Sequence, residues 1–574
     1  MGIQLPPAAR ENAMDYDLKI VGGEIVDGSG KAAFKGDVGV KDGKVVALGK
    51  AEGQAARTVD AKGRVVAPGF VDVHTHYDAQ ILWDRGASIS PWHGVTSAVM
   101  GNCGFGVAPT RPADRKRIMQ TLENVEGMSL AALEAGLGDD WGFESFPQYL
   151  DTLERSGSAI NLGVFVGHTP LRLHTMGEAS TERAATAEEI DTMRRTVLEA
   201  VKAGALGFAT SKAITHNGYA GRPVPSRQAS YEEIETLASA AKEGGAPLMQ
   251  VTFGKEFFIE EMSKLSRERG IRVTWTALLA GLTGPGSHRK YLDKTWEHKK
   301  SGADVIPQVS CRPLFFEFNW ASPFPFESMK LFNQLAAEEA KSPGARIRAY
   351  RDPAFRNSVN EQLLPFLRTW AERSTITWSP KDRSLEEQPL LAAARKAGKS
   401  PLDFALDLAL DANLEPRLRI ALINHDEAEV EELLKDGNTV VALSDAGAHA
   451  SQLCDACYST YFLAKWVREK RVFGLEQGVH MLTQRPAELF GIKDRGLLAL
   501  GRPADIVVFD PTTVAPTPLR RVYDLPGGAD RLVADAIGID AVVVNGALIR
   551  QHDKDVLGAN DRLPGRVLRH GRAA

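Results

Sequence analysis

Two histidines separated by one residue, His74-Thr75-His76, stand directly behind the apolar run Val65-Val66-Ala67-Pro68-Gly69-Phe70-Val71-Asp72-Val73. A run of that kind, punctuated by Pro and Gly, reads as a buried strand. Side chains alternate along a strand, so two imidazoles two positions apart point the same way. A rigid pair of imidazoles at a strand end is half of a divalent metal site. An ordinary polar loop would read the same, so the weight rests on what the remaining chain places beside the pair.

The elements that would position such a site follow from Gly69 onward. Apolar runs at Val66 to Val73, Val95 to Met100, Ile160 to Val166, Ala205 to Ala209, Pro247 to Thr252, Arg272 to Leu279, Val305 to Val309 and Thr439 to Ser444 alternate with amphipathic helical stretches. Alternation of this kind predicts parallel βα units, and eight of them predict an α/β chain folded as a (β/α)8, TIM-like barrel. The wide gap before the last run predicts an insertion at about 313–418 that caps the barrel mouth. Short β-like runs separated by turn pairs such as Asp27-Gly28 and Asp42-Gly43 occupy the N-terminal part, and the same texture returns after Phe490. They predict a small discontinuous β-sandwich made by both chain ends, with divisions at 1–68, 69–490 and 491–574. The basic tail from Arg562 to Ala574 reads as loose.

Active sites of such barrels collect at the C-terminal strand ends. The first candidate strand ends in His74 and His76, the second in Asn102-Cys103-Gly104, the third in His168-Thr169, the fourth in Thr210-Ser211-Lys212 and the eighth in Ser444-Asp445-Ala446-Gly447-Ala448-His449. Each has a plainer role: Cys103 as a small buried apolar group, His168 and His449 as satisfied core histidines, Asp445 as a helix cap. Together, two His, a Cys and an Asp suit zinc or a similar borderline metal. The chemistry is metal-assisted hydrolysis, in which the ion acidifies a water and polarises a carbonyl while a carboxylate carries the proton to the leaving nitrogen. Asp445 is the candidate carboxylate, with His168 or His449 stabilising the oxyanion or orienting Asp445.

The 574 residues are 43% hydrophobic and 25% charged, an ordinary globular composition. A balance of 69 basic against 73 acidic residues argues against nucleic acid or an anionic membrane as partner and leaves a small molecule. Four cysteines cannot frame the fold with disulfides, and neither an apolar leader between Met1 and Asp17 nor a membrane-length run is evident, so a cytoplasmic enzyme is expected. The oligomeric state is left open.

The chain resembles the amidohydrolase superfamily, and within it the D-aminoacylase (N-acyl-D-amino-acid deacylase) branch. The stretches that carry this are Val65 to Asp78, Gly101-Asn102-Cys103-Gly104-Phe105, Leu443 to His449, and Leu500-Gly501-Arg502-Pro503-Ala504-Asp505-Ile506-Val507-Val508-Phe509-Asp510. The resemblance implies a metal-bearing barrel with a β-sandwich from both ends. It implies His74 and His76 as ligands, Cys103 as a ligand able to bridge two metals, and Asp445 as both ligand and general acid/base. It further implies hydrolysis of a non-peptide C–N bond, with an N-acyl amino acid as substrate. The chain departs from the branch where strands five and six should each end in a histidine: Gln250-Val251-Thr252-Phe253-Gly254-Lys255 and Thr274-Trp275-Thr276-Ala277 contain none, and His93, His216, His288, His298 and His425 do not sit at those ends. One zinc ion held by His74, His76, Asp445 and Cys103 is the first reading. A rebuilt site with two ions is another, with Lys212 carboxylated as an extra oxygen ligand. A degenerate site in a binding protein without turnover is a third, and a different linear or cyclic amide or an ester as substrate a fourth.

Arg312, Arg172 and Lys255 are candidates to hold a substrate carboxylate. The aromatic run from Phe315 to Phe326 either lines an acyl pocket or anchors the insertion on the barrel. Cys454-Asp455-Ala456-Cys457, placed on the helix after strand eight, reads as packing rather than a second metal site.

Overall fold

The computed structural model describes residues 14–327, 329–364, 367–558 and 561–573. The first 13 residues, most of the segment read as lacking an apolar leader, lie outside the described residues.

A parallel sheet forms the centre, with its strands in chain order: β1 (Phe70–Asp72), β2 (Val95–Met100), β3 (Asn161–Gly167), β4 (Gly207–Ser211), β5 (Leu248–Thr252), β6 (Arg272–Thr276), β7 (Val305–Val309) and β8 (Val440–Val441). Each overlaps one of the eight apolar runs. Their residues are buried nearly throughout, as expected of parallel strands covered on both faces. The sheet curls. Its two edges meet beyond the strand ends in a parallel bridge between Thr75 and Ala446, and the Ser444 hydroxyl donates to the His74 carbonyl at 2.9 Å. Val71, Val99, Phe165, Leu248 and Ala442, drawn from both edges and the middle, share one apolar cluster. Gly447 makes the edge contact possible. Its φ is +95°, and a Cβ there would stand 2.6 Å from the His76 carbonyl oxygen.

The first apolar run divides in two. Val65–Pro68 belongs to a second sheet, and only Phe70–Asp72 enters the parallel one. The step between them passes at Gly69, where a Cβ would lie 2.1 Å from the Thr96 side chain. Val65–Pro68 pairs in parallel with Tyr16–Ile25 and antiparallel with Ile506–Phe509, so both chain ends build this nine-stranded sheet. Leu18, Ile20, Val38, Val508 and Val543 form its core.

The insertion runs from the strand Leu314–Asn319 to its antiparallel partner Arg417–Ile423. It has its own core, in which Phe318, Trp320, Phe326 and Phe332 pack with Trp370 and Leu406. Most of the aromatic run thus packs within the insertion's own core, not on the barrel as expected. The tail is not loose, contrary to the expectation: Val567–Leu568 is buried and pairs in parallel with β3, and Arg566 donates its N–H to the Asn161 side chain at 3.1 Å. Among the described residues no helix is long and apolar enough to cross a membrane.

Candidate metal centre

His74 and His76 leave β1 at the edge where β8 closes on it. Their ligand atoms and Cys103 Sγ all lie within 4.8 Å of one another, and all three side chains are buried. Cys103 is set by a sharp turn after β2 and takes a left-handed backbone at φ 57°. Its N–H donates to Gln250 Oε1 at 2.6 Å. Asp445, with φ 45°, comes from the loop after β8 and places Oδ1 3.4 Å from His74 Nε2 and 4.0 Å from His76 Nε2. The Cys103 sulfur stands 3.5 Å from the same His74 nitrogen. Zinc bonds of roughly 2.0–2.3 Å in a tetrahedron place neighbouring N, O and S ligand atoms about 3.4–3.6 Å apart. The Cys103 sulfur and Asp445 oxygen stand at that spacing from His74 Nε2, with His76 further out but within 4.8 Å of His74 and Cys103, and the imidazole, thiol and carboxylate set fits a borderline metal.

The electrostatics agree with that fit. Burial lowers the pKa of His74, opposed by Asp445, and lowers that of His76 further, helped by His74, His449 and His216. Neutral imidazoles with open lone pairs are what a metal needs. Burial also pushes the Cys103 thiol well above its usual range, reinforced by the charge of Glu126 and countered by the Thr252 hydroxyl. A cation beside the sulfur would reverse that balance.

Two residues absent from the sequence reading shape the site. Gln308, on β7, approaches His74 Nδ1 with Oε1 at 2.6 Å and donates from Nε2 to the Thr274 hydroxyl at 3.1 Å. That contact assigns the proton to Nδ1 and leaves Nε2 open. Glu126 is the last residue of helix α1 (Arg115–Glu126), which ends at left-handed Gly127. Its carboxylate is 3% exposed, 3.4 Å from His76 Nδ1 and 4.0 Å from His449 Nε2. Neither carried a strand-end signal, since one lies inside a strand and the other reaches back from a helix.

Other candidates are placed elsewhere. His168 is fully buried with both ring nitrogens taken, by the Thr210 hydroxyl and by Glu233, each at 2.8 Å. It is a core histidine rather than a free acid or base. Arg172 is also fully buried and holds Glu233 through Nη1 at 2.5 Å, which withdraws it from any substrate carboxylate. Arg312 is committed too: Nη1 donates to the Cys454 carbonyl at 2.7 Å and to Cys457 Sγ at 2.6 Å, and pairs with Asp455 at 3.0 Å. Both thiols of that motif precede the helix Tyr458–Phe462 instead of lying on it. Lys212 Nζ donates to the carbonyls of Arg227 and Ala229 at 2.6 and 2.8 Å. Carboxylation would set carbamate oxygens against those carbonyls, so Lys212 is not a ligand in this arrangement. Lys255 is exposed on the loop after β5. His449 keeps a partly open side chain beside Glu126. A cavity of about 260 Å³, lined by Gln80, Trp83, Glu123, Met128, Leu133 and Ala450 among others, lies beside the end of α1 and the loop that carries His449.

The chain matches the amidohydrolase family over residues 57–550, well over half its length, and belongs to it. It is 29% identical over 549 residues to a D-aminoacylase of Alcaligenes xylosoxydans xylosoxydans, covering 95% of this chain and 96% of that one. It is equally identical, over 561 residues and 96% of each chain, to an N-acyl-D-glutamate deacylase of the same organism. Among solved structures, that of a D-aminoacylase aligns with a TM-score of 0.64 at 26% identity, covering 97% of this chain and all of that one. An N-acyl-D-glutamate deacylase of Bordetella bronchiseptica, complexed with zinc and a phosphonate mimic of the tetrahedral intermediate, aligns at 0.63 and 28%, covering 96% and 99%. The chain is accordingly a metal-dependent amidohydrolase of the D-aminoacylase branch, with a TIM-like architecture, and hydrolyses non-peptide C–N bonds of small molecules.

Proposed function

We propose that this enzyme is a zinc-dependent deacylase of N-acyl amino acids, of D configuration, working with one catalytic ion held by His74, His76, Cys103 and Asp445. The observation that carries the reading is the convergence of His74, His76 and Cys103 within 4.8 Å, with Asp445 Oδ1 3.4 Å from His74. The substrate class and configuration rest on the likeness to the D-aminoacylase and the D-glutamate deacylase. A single ion is supported by the histidine-free ends of β5 and β6. A solved D-aminoacylase is described as showing one-metal activation and second-metal attenuation.

A zinc ion held by these residues would supply Lewis acidity, polarising a substrate carbonyl and acidifying a water near neutral pH. Asp445, beside His74 and with a side chain 23% exposed, is the candidate to take a water's proton and pass it to the leaving nitrogen. Burial lowers the pKa of His449, opposed by Asp445, and its partly open side chain is the candidate to steady the oxyanion. Gln308 holds His74 in the tautomer that binds. Lys255, exposed on its loop, is the remaining cation of the three expected to meet a substrate carboxylate.

The same reading extends to the architecture: a closed (β/α)8 barrel over 69–490 with the insertion at its mouth, and a β-sandwich from 1–68 and 491–574 except for the C-terminal tail, whose Val567–Leu568 pairs with β3. It takes the protein as cytoplasmic, without nucleic-acid or membrane partners, in keeping with four buried unpaired cysteines.

The test is zinc analysis together with turnover of N-acetyl-D- and N-acetyl-L-amino acids by the wild type and Asp445→Asn. The expected result is one zinc per chain, turnover confined to D substrates, and a loss of about 10³-fold or more in kcat for Asp445→Asn with substrate binding retained. A metal-free chain that binds without turnover overturns the proposal in favour of a binding protein. Turnover of cyclic amides or esters alone overturns the substrate class.

A further inference from the structure

The loop after β4 carries an imidazole that the site described so far does not use. Ser211 closes β4, and its Oγ accepts the Ala213 N–H at 3.2 Å and meets His216 Nδ1 at 2.7 Å. With that oxygen accepting from the backbone, the hydroxyl proton is directed at Nδ1, which leaves the ring proton on Nε2. Among the described residues no hydrogen-bond partner meets Nε2. The main chain holds the ring in place as well. The His216 N–H donates to the Ala213 carbonyl at 3.1 Å, and the His216 carbonyl accepts from Arg227 Nη1 at 3.2 Å.

This loop is tied to the metal centre from two sides. The end of β4 lies against the turn that carries Cys103, where a Cβ on Gly104 would stand 2.7 Å from the Thr210 Cα. The loop then returns over the same turn, and the His216 ring packs on Phe105, two residues past Cys103, with ring centroids 5.2 Å apart. On the other side Asn124 Nδ2, on helix α1, donates to the Gly218 carbonyl at 2.8 Å. That helix ends beside His76 and His449. His216 is near enough to both for charge to be felt between them. Burial, then His449 and Arg227, bring its pKa down to about 4, so the ring is neutral at ordinary pH. It is half-buried where His74 and His76 are buried, and so stands at the mouth of the centre. His449, the other imidazole at the mouth, turns its Nε2 toward Glu126 at 4.0 Å, whereas His216 keeps its Nε2 proton for a ligand.

We propose that His216 is a catalytic residue of this centre, in addition to His449, and that its Nε2–H donates to the substrate's acyl oxygen as that oxygen takes up negative charge in the tetrahedral intermediate. The inference rests on the deacylase reading above. A fixed donor aimed at developing charge acts on the transition state more than on bound substrate, so its removal is felt in kcat.

The experiment measures zinc content, kcat and KM with the N-acetyl-D-amino acid turned over fastest, and calorimetric binding of the matching N-methylphosphonyl-D-amino acid, a tetrahedral mimic. The proteins are the wild type, His216→Ala, His216→Gln and His216→Phe, with circular dichroism to verify folding. The expected result for His216→Ala is a loss of about 10²–10³-fold in kcat and a loss of like size in phosphonate affinity, with the zinc content and KM of the wild type. His216→Gln, whose amide can donate, recovers part of both. Wild-type kcat and phosphonate affinity in His216→Ala overturn the proposal. So does a raised KM with kcat unchanged, which would make His216 a contact of bound substrate only. So does a loss of zinc, which would make it part of the ion's support. If His216→Ala fails to fold, His216→Phe decides, since it keeps a ring against Phe105 and removes the donor: weakened phosphonate binding supports the proposal, and wild-type binding overturns it. A wild type that turns over no N-acetyl amino acid would instead sink the deacylase reading itself, a result distinct from failure at His216.

Discussion

The two sides of the sheet mouth are built from unlike chemistry. The side formed by β1, β2 and the loop after β8 presents His74, His76, Cys103 and Asp445, with donor atoms 3.4–3.5 Å apart about His74 Nε2. The side formed by β5, β6 and β7 presents Gln250, Thr252, Thr274, Thr276 and Gln308, joined by hydrogen bonds. The first side lies on strained backbone: Cys103, Asp445 and His449 all have positive φ, a conformation that costs a non-glycine residue about 1–3 kcal/mol. The second lies on regular strands, with Gln250, Thr252, Thr274 and Thr276 inside β5 and β6 and Gln308 inside β7. Strain is tolerated where donors must be aimed at one point. The regular side holds the strained one in place, through Gln308 on His74 and Gln250 on Cys103.

The sharpest way to break this comparison is to empty the ligand side. His74→Ala/His76→Ala is expected to lose its zinc entirely and to lower hydrolysis by at least about a thousandfold, the equivalent of roughly 4 kcal/mol of transition-state stabilisation. Elemental analysis and initial rates check it. Retention of an equivalent of zinc would mean that the ligands lie elsewhere and that the division into two sides is mistaken.

An intermediate effect separates holding from binding. In Gln250→Leu the Cys103 N–H loses its acceptor inside the protein, at a cost of about 1–3 kcal/mol, and the left-handed turn at Cys103 loses its tether. Chemical denaturation should register that loss while zinc stoichiometry stays at the wild-type value. A variant as stable as the wild type would show that Gln250 merely fills space.

How far all of this was legible in the sequence depends on whether a residue's role is local. His74, His76, Cys103 and Asp445 announce themselves because each ends a strand, and strand ends of a parallel sheet converge. The eight apolar runs are legible for the same reason, since burial on both faces leaves a continuous apolar signature. His168 and Arg172 carry the same outward marks as site residues, yet both turn to Glu233, a buried partner 61 residues beyond Arg172 that no local pattern announces. Arg312 likewise finds Asp455 and Cys457 across the fold. Glu126 closes an amphipathic helix in which Ile118 and Leu122 are the buried face, so its burial reads from sequence as an ordinary solvated end. The tail escaped because Val567–Leu568 is too short to register as a strand until β3 offers it an edge.

The smallest effect is expected on the neutral side itself. Thr252→Val/Thr276→Val removes the hydroxyl pair facing Cys103 and keeps the branched shape of both side chains. The two hydroxyls partner each other at 3.3 Å, so neither strands the other when both are deleted, but Gln250 Nε2 loses the Thr276 hydroxyl it donates to at 3.4 Å, at a stability cost of about 1–3 kcal/mol. What changes is the environment of the sulfur, because those hydroxyls favour the thiolate against burial and the charge of Glu126. With zinc bound, the ion's charge outweighs two hydroxyl dipoles. The double variant should therefore keep its zinc equivalent and lose less than about tenfold in kcat/KM, with weaker zinc retention at low pH, where protons compete for the sulfur. Dialysis against a chelator across a pH series, with rates measured in parallel, checks this. A complete loss of zinc at neutral pH would show that the hydroxyls themselves help hold the ion, and the two sides of the mouth would then be a single ligand shell.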